Sequence, residues 1–578
     1  MRAASLLALL ALTGLAAACG GGGGGECRDG EWSCSADART LTRCEAGRWA
    51  DTDCLAERGR LCEQGACVEP WRYGAPSWDA CADEPRATAE TLADKAAGYE
   101  DLAWRLHVHP SLKWLSPVTL APDPADPGQP AVPEAQATWQ DVERWHSGEN
   151  DGLWSALYLA AEAYRHAVTG EEEALARLRV LMDGEETRMR VTGVPGVFTR
   201  QFIPPGIAGL ECPADPLQYA PDAEKDDNQW VRVGAQGCVE TYDPAAAAFV
   251  ASGHCGLGEF AGFCWLDNVS QDEYAGHMLG LTAVALLVDD ADLRARAVEL
   301  LRQVGQHLVD NLLEFHDWDG RVTEHGRIWA LALDNFPGFN AGMALAYVGA
   351  AAELSGDEGL RAWLRRCLLQ EEGVQDCLGQ PLEAPRPYPE HLESAGLYVG
   401  AGSCLSNWNN MSMHLISIQI LLLLEREPGL RAVYQAHLED EVFAPPDTPR
   451  AMSGQRNAWF DFVFAAHKRL GPGSSGPALD AVKDGLCMLR QFPASKHQRA
   501  VACPPERCVL SDCVDRQGGP ILEEPREIAD RCLGRFEWWR SPYSPGECSQ
   551  DPRVIASPED YLLAYWMGRF YGFIAPGW

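Results

Sequence analysis

Residues 270–304, SQDEYAGHMLGLTAVALLVDDADLRARAVELLRQV, contain two helical segments of opposite character joined by a short acidic turn. The first segment is rich in small residues and apolar on nearly every side, which is typical of a helix buried in a core. The second segment places Arg and Glu on one side of an apolar stripe, which is typical of a helix that covers a buried one. The stretch therefore predicts an inner helix and an outer helix packed as a pair.

The same pattern of paired helices recurs along most of the chain, whereas alternation typical of β-strands is scarce. The pairs begin near residues 150, 272, 338, 407, 456 and 558. Repeated inner and outer helices fit either an α-solenoid or a closed α/α toroid. The spacing is irregular and the inserts are long, so we expect a mainly α fold with the closed, toroidal arrangement over residues 71–578.

The charge of the chain excludes some partners. It carries 83 acidic residues against 48 basic ones, a formal net charge of -35. Such a chain is repelled by nucleic acid and by anionic membrane surfaces, so we expect no nucleic-acid partner.

The N-terminus has the form of an export signal. One arginine, a short apolar run and small residues precede Cys19, and residues 20–25 are all glycine. The stretch LAAAC resembles a bacterial lipoprotein signal, which implies removal of residues 1–18, a lipid on Cys19 and a flexible tether over 19–25. The resemblance implies a lipid-anchored protein of the bacterial cell envelope. The alternative is an ordinary secretory signal followed by a free cysteine.

The remaining 20 of the 21 cysteines indicate disulfides, as expected for an exported protein. Six of them lie in residues 26–70, a segment with too few aliphatic residues to build its own core. This segment resembles the small cysteine-rich modules of exported myxobacterial proteins. Other cysteines fall in two inserts, about 203–269 and 487–548, which we expect to be disulfide-stapled loops. No CxxC pair of zinc-site spacing is present, so neither a metal nor another cofactor is expected.

Polar and aromatic residues crowd the starts of the inner helices. The starts read WHSGENDGLW (145–154), SQDEYAGH (270–277), NFPGFNAG (335–342), CLSNWNNMSMH (404–414), GQRNAWFDF (454–462) and SPEDYLLAYW (557–566). Helix capping explains one Ser, Asp or Asn at each start, but not the additional residues. If the inner helices run parallel in a ring, these residues lie at one rim, and we expect them to form a ligand site. Independent helix caps are the alternative.

The helix pairs and the stretch WHSGENDG together resemble the six-hairpin glycosidase superfamily over about residues 80–578. This resemblance implies an (α/α)6 toroid that acts on carbohydrate. The superfamily and its toroidal relatives include glycoside hydrolases and polysaccharide lyases. We expect hydrolysis of a glycoside, with elimination from a uronate-containing glycan as the alternative. A non-catalytic surface protein that binds a glycan or a protein partner is the third possibility.

Hydrolysis of a glycoside requires two carboxyl groups that face the scissile bond. Our preferred pair is Asp151 and Asp272, with Glu149 and Glu273 as alternatives on the same helix starts. The catalytic set also includes His277. We expect the remaining candidates to bind the substrate: Glu149, Trp154, Arg200, Glu273, Tyr274, His325, Trp408, Asn409, Asn410 and His414.

A lyase would use a different chemistry at the same rim. An Asn or Arg would neutralise a uronate carboxylate, and a Tyr or His would remove the C5 proton. Asn409, Asn410 and Arg200 could serve the first role, and Tyr274, His277 and His414 the second.

Overall fold

The computed structural model describes residues 90–578 with short gaps, together with residue 88 and a few earlier stretches. The earlier stretches are 28, 31–34, 40–53, 61–63 and 66–68, and the gaps are 147, 334, 374–376, 378–385, 469–475, 498–503, 533–540, 547 and 549. Residues 1–18, Cys19 and the glycine tether lie outside the described residues.

The described part of the chain contains no helix with the length and apolar character needed to cross a membrane.

The fold is mainly α. Its helices are α1 (Leu92–Leu102), α2 (Asp151–Thr169), α3 (Glu172–Arg190), α4 (Gln271–Leu287), α5 (Ala291–Asp310), α6 (Pro337–Ser355), α7 (Glu358–Trp363), α8 (Trp408–Leu424), α9 (Pro428–His437), α10 (Ala458–Ala466), α11 (Pro477–Gln491) and α12 (Glu559–Phe570).

The helices fall into the two classes expected from the sequence. The even-numbered helices are buried on nearly every side; every residue of α2 from Asp151 to His166 is buried, and so is all of α10. Helices α3, α5, α9 and α11 instead bury one stripe and expose the opposite face. The difference follows from composition, because only a helix that is apolar all round can be enclosed without stranding charges.

The buried helices contact one another in a continuous order. Helix α2 packs against α4, α4 against α6, α6 against α8, α8 against α10, α10 against α12, and α12 against α2. Helix α4 also contacts α8. The outer helices α3, α5, α7, α9 and α11 each pack against the buried helix that precedes them, while α1 packs against α12. The first and last described helices therefore meet.

Local sequence explains where the helix pairs turn. Gly170 and Gly356 follow α2 and α6 in the left-handed conformation, with φ of 66° and 69°. Asp290 and Asp357 then cap the outer helices α5 and α7 through their carboxylates.

The strands are short, and several of them contribute buried residues, such as Phe202, Trp265 and Phe315, to the same hydrophobic core as the helices. They are β1 (Trp32–Cys34), β2 (Thr40–Glu45), β3 (Arg48–Asp53), β4 (Leu61–Glu63), β5 (Ala66–Val68), β6 (Val118–Leu120), β7 (Pro122–Asp123), β8 (Asp126–Pro130), β9 (Val142–Trp145), β10 (Gln201–Ile203), β11 (Trp230–Val233), β12 (Cys238–Asp243), β13 (Ala248–Cys255), β14 (Cys264–Leu266), β15 (Glu314–His316), β16 (Val322–Arg327), β17 (Leu510–Val514), β18 (Pro520–Leu522) and β19 (Val554–Ile555).

The first insert differs from the loop expected from its sequence. Residues 201–266 contain a five-stranded antiparallel sheet in the order β10-β14-β11-β12-β13. Its strands are short, and β12 and β13 are partly or largely exposed on both faces. Such strands lack the alternation of apolar and polar residues that a half-buried strand shows, which is why the sequence did not reveal them.

Disulfides staple both inserts, as the cysteine spacing predicts. Cys212–Cys264 and Cys238–Cys255 lie in the sheet insert, and Cys532–Cys548 lies in the second insert. Cys404–Cys513 connects the second insert to the approach to α8, and Cys367–Cys377 follows α7. Disulfides persist in oxidising compartments, in agreement with the expected export of the chain.

Candidate functional site: an amide cup at the helix starts

Asp272, the second residue of α4, contacts two neighbouring helix starts. Asn150 Nδ2, immediately before α2, donates to Asp272 Oδ2 at 3.3 Å. Asn409 Nδ2, in the first turn of α8, donates to the same oxygen at 3.5 Å. All three side chains are partly exposed. Residues separated by more than a hundred positions therefore meet at one end of the helical core.

The starts of α6 and α8 extend this group. Asn407 Nδ2 donates to Asn410 Oδ1 at 2.8 Å, and Asn410 Nδ2 donates to Asn335 Oδ1 at 3.2 Å. Asn335 lies two residues before α6. We name the five residues Asn150, Asp272, Asn335, Asn409 and Asn410 the amide cup.

Helix capping does not account for the cup. Asn150 occupies the N-cap position of α2, yet within the described chain its side chain makes no capping hydrogen bond. Ser270 occupies the N-cap position of α4 and likewise makes no capping bond to the described backbone; its hydroxyl donates to Asp272 Oδ1 instead. Instead of capping its own helix, each of the two side chains donates a hydrogen bond to the Asp272 carboxylate.

Arg200 supports the cup from beneath. Its buried guanidinium donates from Nε to the Asn268 carbonyl at 2.8 Å. From Nη1 it donates to the Glu149 carbonyl at 3.2 Å and to Asn150 Oδ1 at 3.3 Å. The second contact orients the Asn150 amide so that its nitrogen faces Asp272. Arg200, which we expected to bind the substrate, thus lies near the cup and orients Asn150.

A buried acid–histidine cluster lies one turn further into α4. His277 Nδ1 is 2.6 Å from Glu185 Oε2, and His277 Nε2 is 3.5 Å from Glu273 Oε2. Glu273 Oε2 also accepts the Leu153 amide at 2.9 Å. Burial raises the pKa of Glu273. Burial alone would lower the pKa of His277, but the carboxylates of Glu185 and Glu273 outweigh it and raise that pKa.

This cluster connects α4 with α2 and α3, and its three side chains are buried. Glu273 and His277 are both fully buried. The structure therefore places these two predicted site residues behind the cup, where they hold α4 in register.

Asp151, the preferred partner of Asp272, is fully buried. Ser116 Oγ donates to its Oδ2 at 3.4 Å. Trp154 is buried in the core one turn along the same helix. Asn150, which the sequence interpretation passed over, is the residue of this helix start that contacts Asp272. Consecutive residues at a helix start point in directions about 100° apart, so a shift of one residue exchanges a buried group for an exposed one.

Two further predicted site residues on buried helices contact protein groups. The Tyr274 hydroxyl donates to the Gly196 carbonyl at 2.9 Å, and its ring stacks on Phe315. His414 Nε2 lies 2.8 Å from His437 Nε2. Burial, together with His437, lowers the pKa of His414 well below its ordinary value. His414 is therefore a neutral packing group between α8 and α9.

The last two candidates lie at separate places. Trp408 is partly exposed, and its ring centroid is 5.3 Å from that of Tyr543 in the second insert. His325 is exposed on β16, with Nε2 3.7 Å from Glu324 Oε1. The structure gives His325 no contact with the cup among the described residues.

A cleft of about 690 Å³ begins beside the cup. Glu149, the residue before Asn150, lines its near end, and Gln201, the residue after Arg200, lines it as well. Its other wall belongs to the sheet insert. The full lining is Gly148, Glu149, Gln201, Leu217, Gln218, Ala220, Asp222, Asp226, Asp227, Asn228, Gln229, Trp230 and Leu266.

Of the residues predicted from the sequence, Asp272, Asn409 and Asn410 belong to the cup and Glu149 lines the cleft. Asn150, Asn335 and the cleft residues of the sheet insert were not among the predicted residues. Asn150 and Asn335 stand in the quoted helix starts, so the signal for them was present. No sequence pattern indicated the cleft residues, because their insert shows neither helical nor strand periodicity.

The described residues contain no group of three or more His, Cys, Asp or Glu arranged to hold a metal ion.

No family model, curated protein or solved structure matches the chain, so function is inferred from the site itself.

Proposed function

We propose that the buried helices form the inner ring of an (α/α)6 toroid. Support comes from their contact order, which returns from α12 to α2, and from the outer helices packed against them. Helix α1 takes the place of the outer partner of α12. In such a ring the starts of the inner helices share one rim, which accounts for the meeting of Asn150, Asp272 and Asn409.

We propose that the chain is a carbohydrate-active protein, and that its activity is hydrolysis of a glycoside at the amide cup. The observation that carries this proposal is Asp272, partly exposed and held by Asn150 and Asn409 from two other helix starts. Amide and carboxylate groups provide both donors and acceptors for sugar hydroxyls. Two amide N–H groups donate to one oxygen of this carboxylate, and a carboxylate is the group that serves as general base or nucleophile in glycoside hydrolysis.

The second carboxyl in this proposal is Glu149 and not Asp151. Asp151 is fully buried, whereas Glu149 is exposed and lines the cleft next to the cup. Glu149 would protonate the leaving-group oxygen while Asp272 activates water or attacks the sugar.

Elimination receives less support from the geometry. A lyase needs a base that faces the sugar, and Tyr274, His277 and His414 are all fully buried against protein partners. Binding without catalysis is the second candidate, and the burial of Asp151 favours it, since that burial removes one expected carboxyl from the rim.

A glycan screen tests these alternatives. The chain, its Asp272→Asn variant and an Asp292→Asn control are incubated with neutral, amino-sugar and uronate polysaccharides. Asp292 is exposed at the start of α5, so its substitution should change nothing. We expect new reducing ends with the native chain and the control, and a loss of at least about a hundredfold with Asp272→Asn. Ultraviolet absorbance of an unsaturated uronate would show a lyase, and retained binding without any product would show a binding protein.

We propose that export and a lipid on Cys19 place the chain in the bacterial cell envelope. Support comes from the form of residues 1–19 and from the disulfides. A Cys19→Ser variant should be released from the membrane fraction, while the native chain should stay bound. Equal partition of the two would contradict the anchor.

A further inference from the structure

The cleft beside the cup is strongly acidic. Glu149, Asp222, Asp226 and Asp227 line it, and none of the described lining residues is a lysine or an arginine. Asp226 and Asp227 are exposed at its edge. Burial alone would raise the pKa of Asp222, but its carboxylate accepts the backbone amides of Glu224, Asp226 and Asp227, and these hydrogen bonds outweigh burial and lower that pKa.

The one lysine within this acidic run does not offset the charge. Lys225 is buried, and its ammonium group points away from the cleft into a cluster of aspartates. Its Nζ bonds to Asp267 and lies 3.3 Å from Asp317 Oδ2 and 3.5 Å from Asp319 Oδ2. The attraction between Lys225 and these aspartates therefore holds the insert onto the β15–β16 hairpin. Lys225 does not neutralise the acids that line the cleft.

Arg200 lies at the cup end of the cleft. It is buried, and its hydrogen bonds go to the carbonyls of Glu149 and Asn268 and to Asn150. It provides one positive charge beneath Glu149, but it is not among the residues that line the cleft.

Two amide groups of the cleft have acceptor oxygens to which no described residue donates. Gln201 lines the cleft and is 5% exposed, and among the described residues its Oε1 accepts no hydrogen bond. Asn228 Oδ1, also in the lining, accepts none from the described residues either. A buried acceptor without a donor is unfavourable, so these oxygens fit a ligand that brings N–H or O–H groups.

Trp230 adds a partly exposed aromatic surface to the same cleft. The apolar face of a sugar ring packs well on such a surface, and a cation is attracted to it.

Building on the proposed glycan activity, we propose that this cleft binds sugar units next to the cup and selects an amino-sugar chain with free, protonated amines. The ammonium groups pair with the cleft acids and donate to the acceptor oxygens of Gln201 and Asn228. A uronate or sulfated chain is repelled by the same acids.

Calorimetric titration of the full chain with three hexasaccharides tests the selection: fully deacetylated chitosan, its N-acetylated counterpart and an oligogalacturonate. The buffer is mildly acidic, so that the amines carry charge. We expect the deacetylated chain to bind about tenfold more tightly than the acetylated one, because its ammonium groups form additional ion pairs with Asp226 and Asp227. We expect no binding of the oligogalacturonate.

The matched variants are Asp226→Asn/Asp227→Asn in the cleft and Asp292→Asn/Glu358→Gln on the outer helices. The first should remove most of the preference for the deacetylated chain and leave the acetylated chain unaffected. The second removes the same net charge at exposed positions away from the cleft and should keep the preference.

Equal affinity for the two chitin-derived chains, or tighter binding of the oligogalacturonate, would overturn the selection. Cleavage of a uronate glycan that Asp272→Asn abolishes would leave the proposed activity standing and remove only this inference. Failure of every glycan, both here and in the wider screen, would remove both.

Discussion

At the scale of the residue, the position of Asp272 depends on groups that never reach the surface. Glu273 and His277 follow it on α4 and meet Glu185 of α3 and the Leu153 amide of α2. Gly152 permits this approach, because a Cβ at that position would overlap Glu273 Oε2 and lie 2.7 Å from His277 Nε2. A small residue at the start of α2 therefore decides how α4, and with it Asp272, is held.

The substitution Gly152→Ala should destabilise the chain by about 1–3 kcal/mol, because the methyl group displaces a buried, fully packed carboxylate and imidazole. Denaturant unfolding measures the change. Gly349→Ala on α6 is the control: its Cβ would meet nothing within 4 Å, so it should be neutral or slightly stabilising. Equal effects of the two substitutions would contradict the role given to Gly152.

The sequence predicted part of the site at this scale. Asp272 and Asn409 could be chosen because capping leaves several polar residues at one helix start unexplained. Asp151 and Asn150 are adjacent, and no sequence pattern settles which of them faces the cup. His414 differs in another way: a histidine at a polar helix start resembles a site residue, yet it packs against His437 of the next helix, α9.

At the scale of the element, the inserts form the surroundings of the cup. Cys404–Cys513 ties the second insert to the approach to α8, and Trp408 packs against Tyr543 of the same insert. Arg450 adds hydrogen bonds to the Gly402 and Leu522 carbonyls on the two sides of this contact. The position of Asn409 thus depends on a segment about a hundred residues later in the chain.

Removal of this disulfide by Cys404→Ser/Cys513→Ser should loosen the start of α8. We expect faster amide hydrogen exchange over residues 404–411 and a loss of stability of about 2–5 kcal/mol. Hydrogen exchange followed by mass spectrometry measures the first effect. Cys532→Ser/Cys548→Ser opens a loop within the insert only, so it should leave exchange at 404–411 unchanged. Faster exchange at 404–411 in both variants would contradict the specific role of Cys404–Cys513.

Helices and inserts differed in how well the sequence predicted them. A helix that is buried all round or along one stripe carries a periodic signal that depends on its own residues. The sheet insert is held by pairing between short strands and by disulfides, and neither of these produces a periodic pattern of apolar residues in the sequence. Its strands, and therefore the cleft that they line, could not be placed from sequence.

At the scale of the whole molecule, the two ends of the helical domain meet. Helix α12 packs between α10 and α2, and α1 lies against it. The Tyr561 hydroxyl donates to the Leu92 carbonyl at 2.9 Å. Lys496 Nζ bonds both carboxylate oxygens of Asp560 at 3.0 and 2.9 Å, and both side chains are fully buried. This ion pair fixes the helix that completes the order of contacts.

Breaking the pair with Asp560→Asn should lower the free energy of unfolding by about 3–5 kcal/mol, because it leaves a buried ammonium without its anion. Chemical denaturation followed by far-ultraviolet circular dichroism measures the loss. Glu358→Gln removes an exposed ion pair with Arg361 and should cost less than about 1 kcal/mol. A similar small cost for Asp560→Asn would show that α12 is held by packing alone.

The central claim is that the amide cup binds a glycan, and a crystal structure of Asp272→Asn with bound chitosan hexasaccharide tests it most directly. The substitution retains the side-chain shape and prevents turnover. We expect a sugar unit in the cup, with hydroxyl or amino groups about 2.7–3.2 Å from the side chains of residues 150, 272 and 409. A hexasaccharide bound at another surface, with the cup free of sugar, would contradict it.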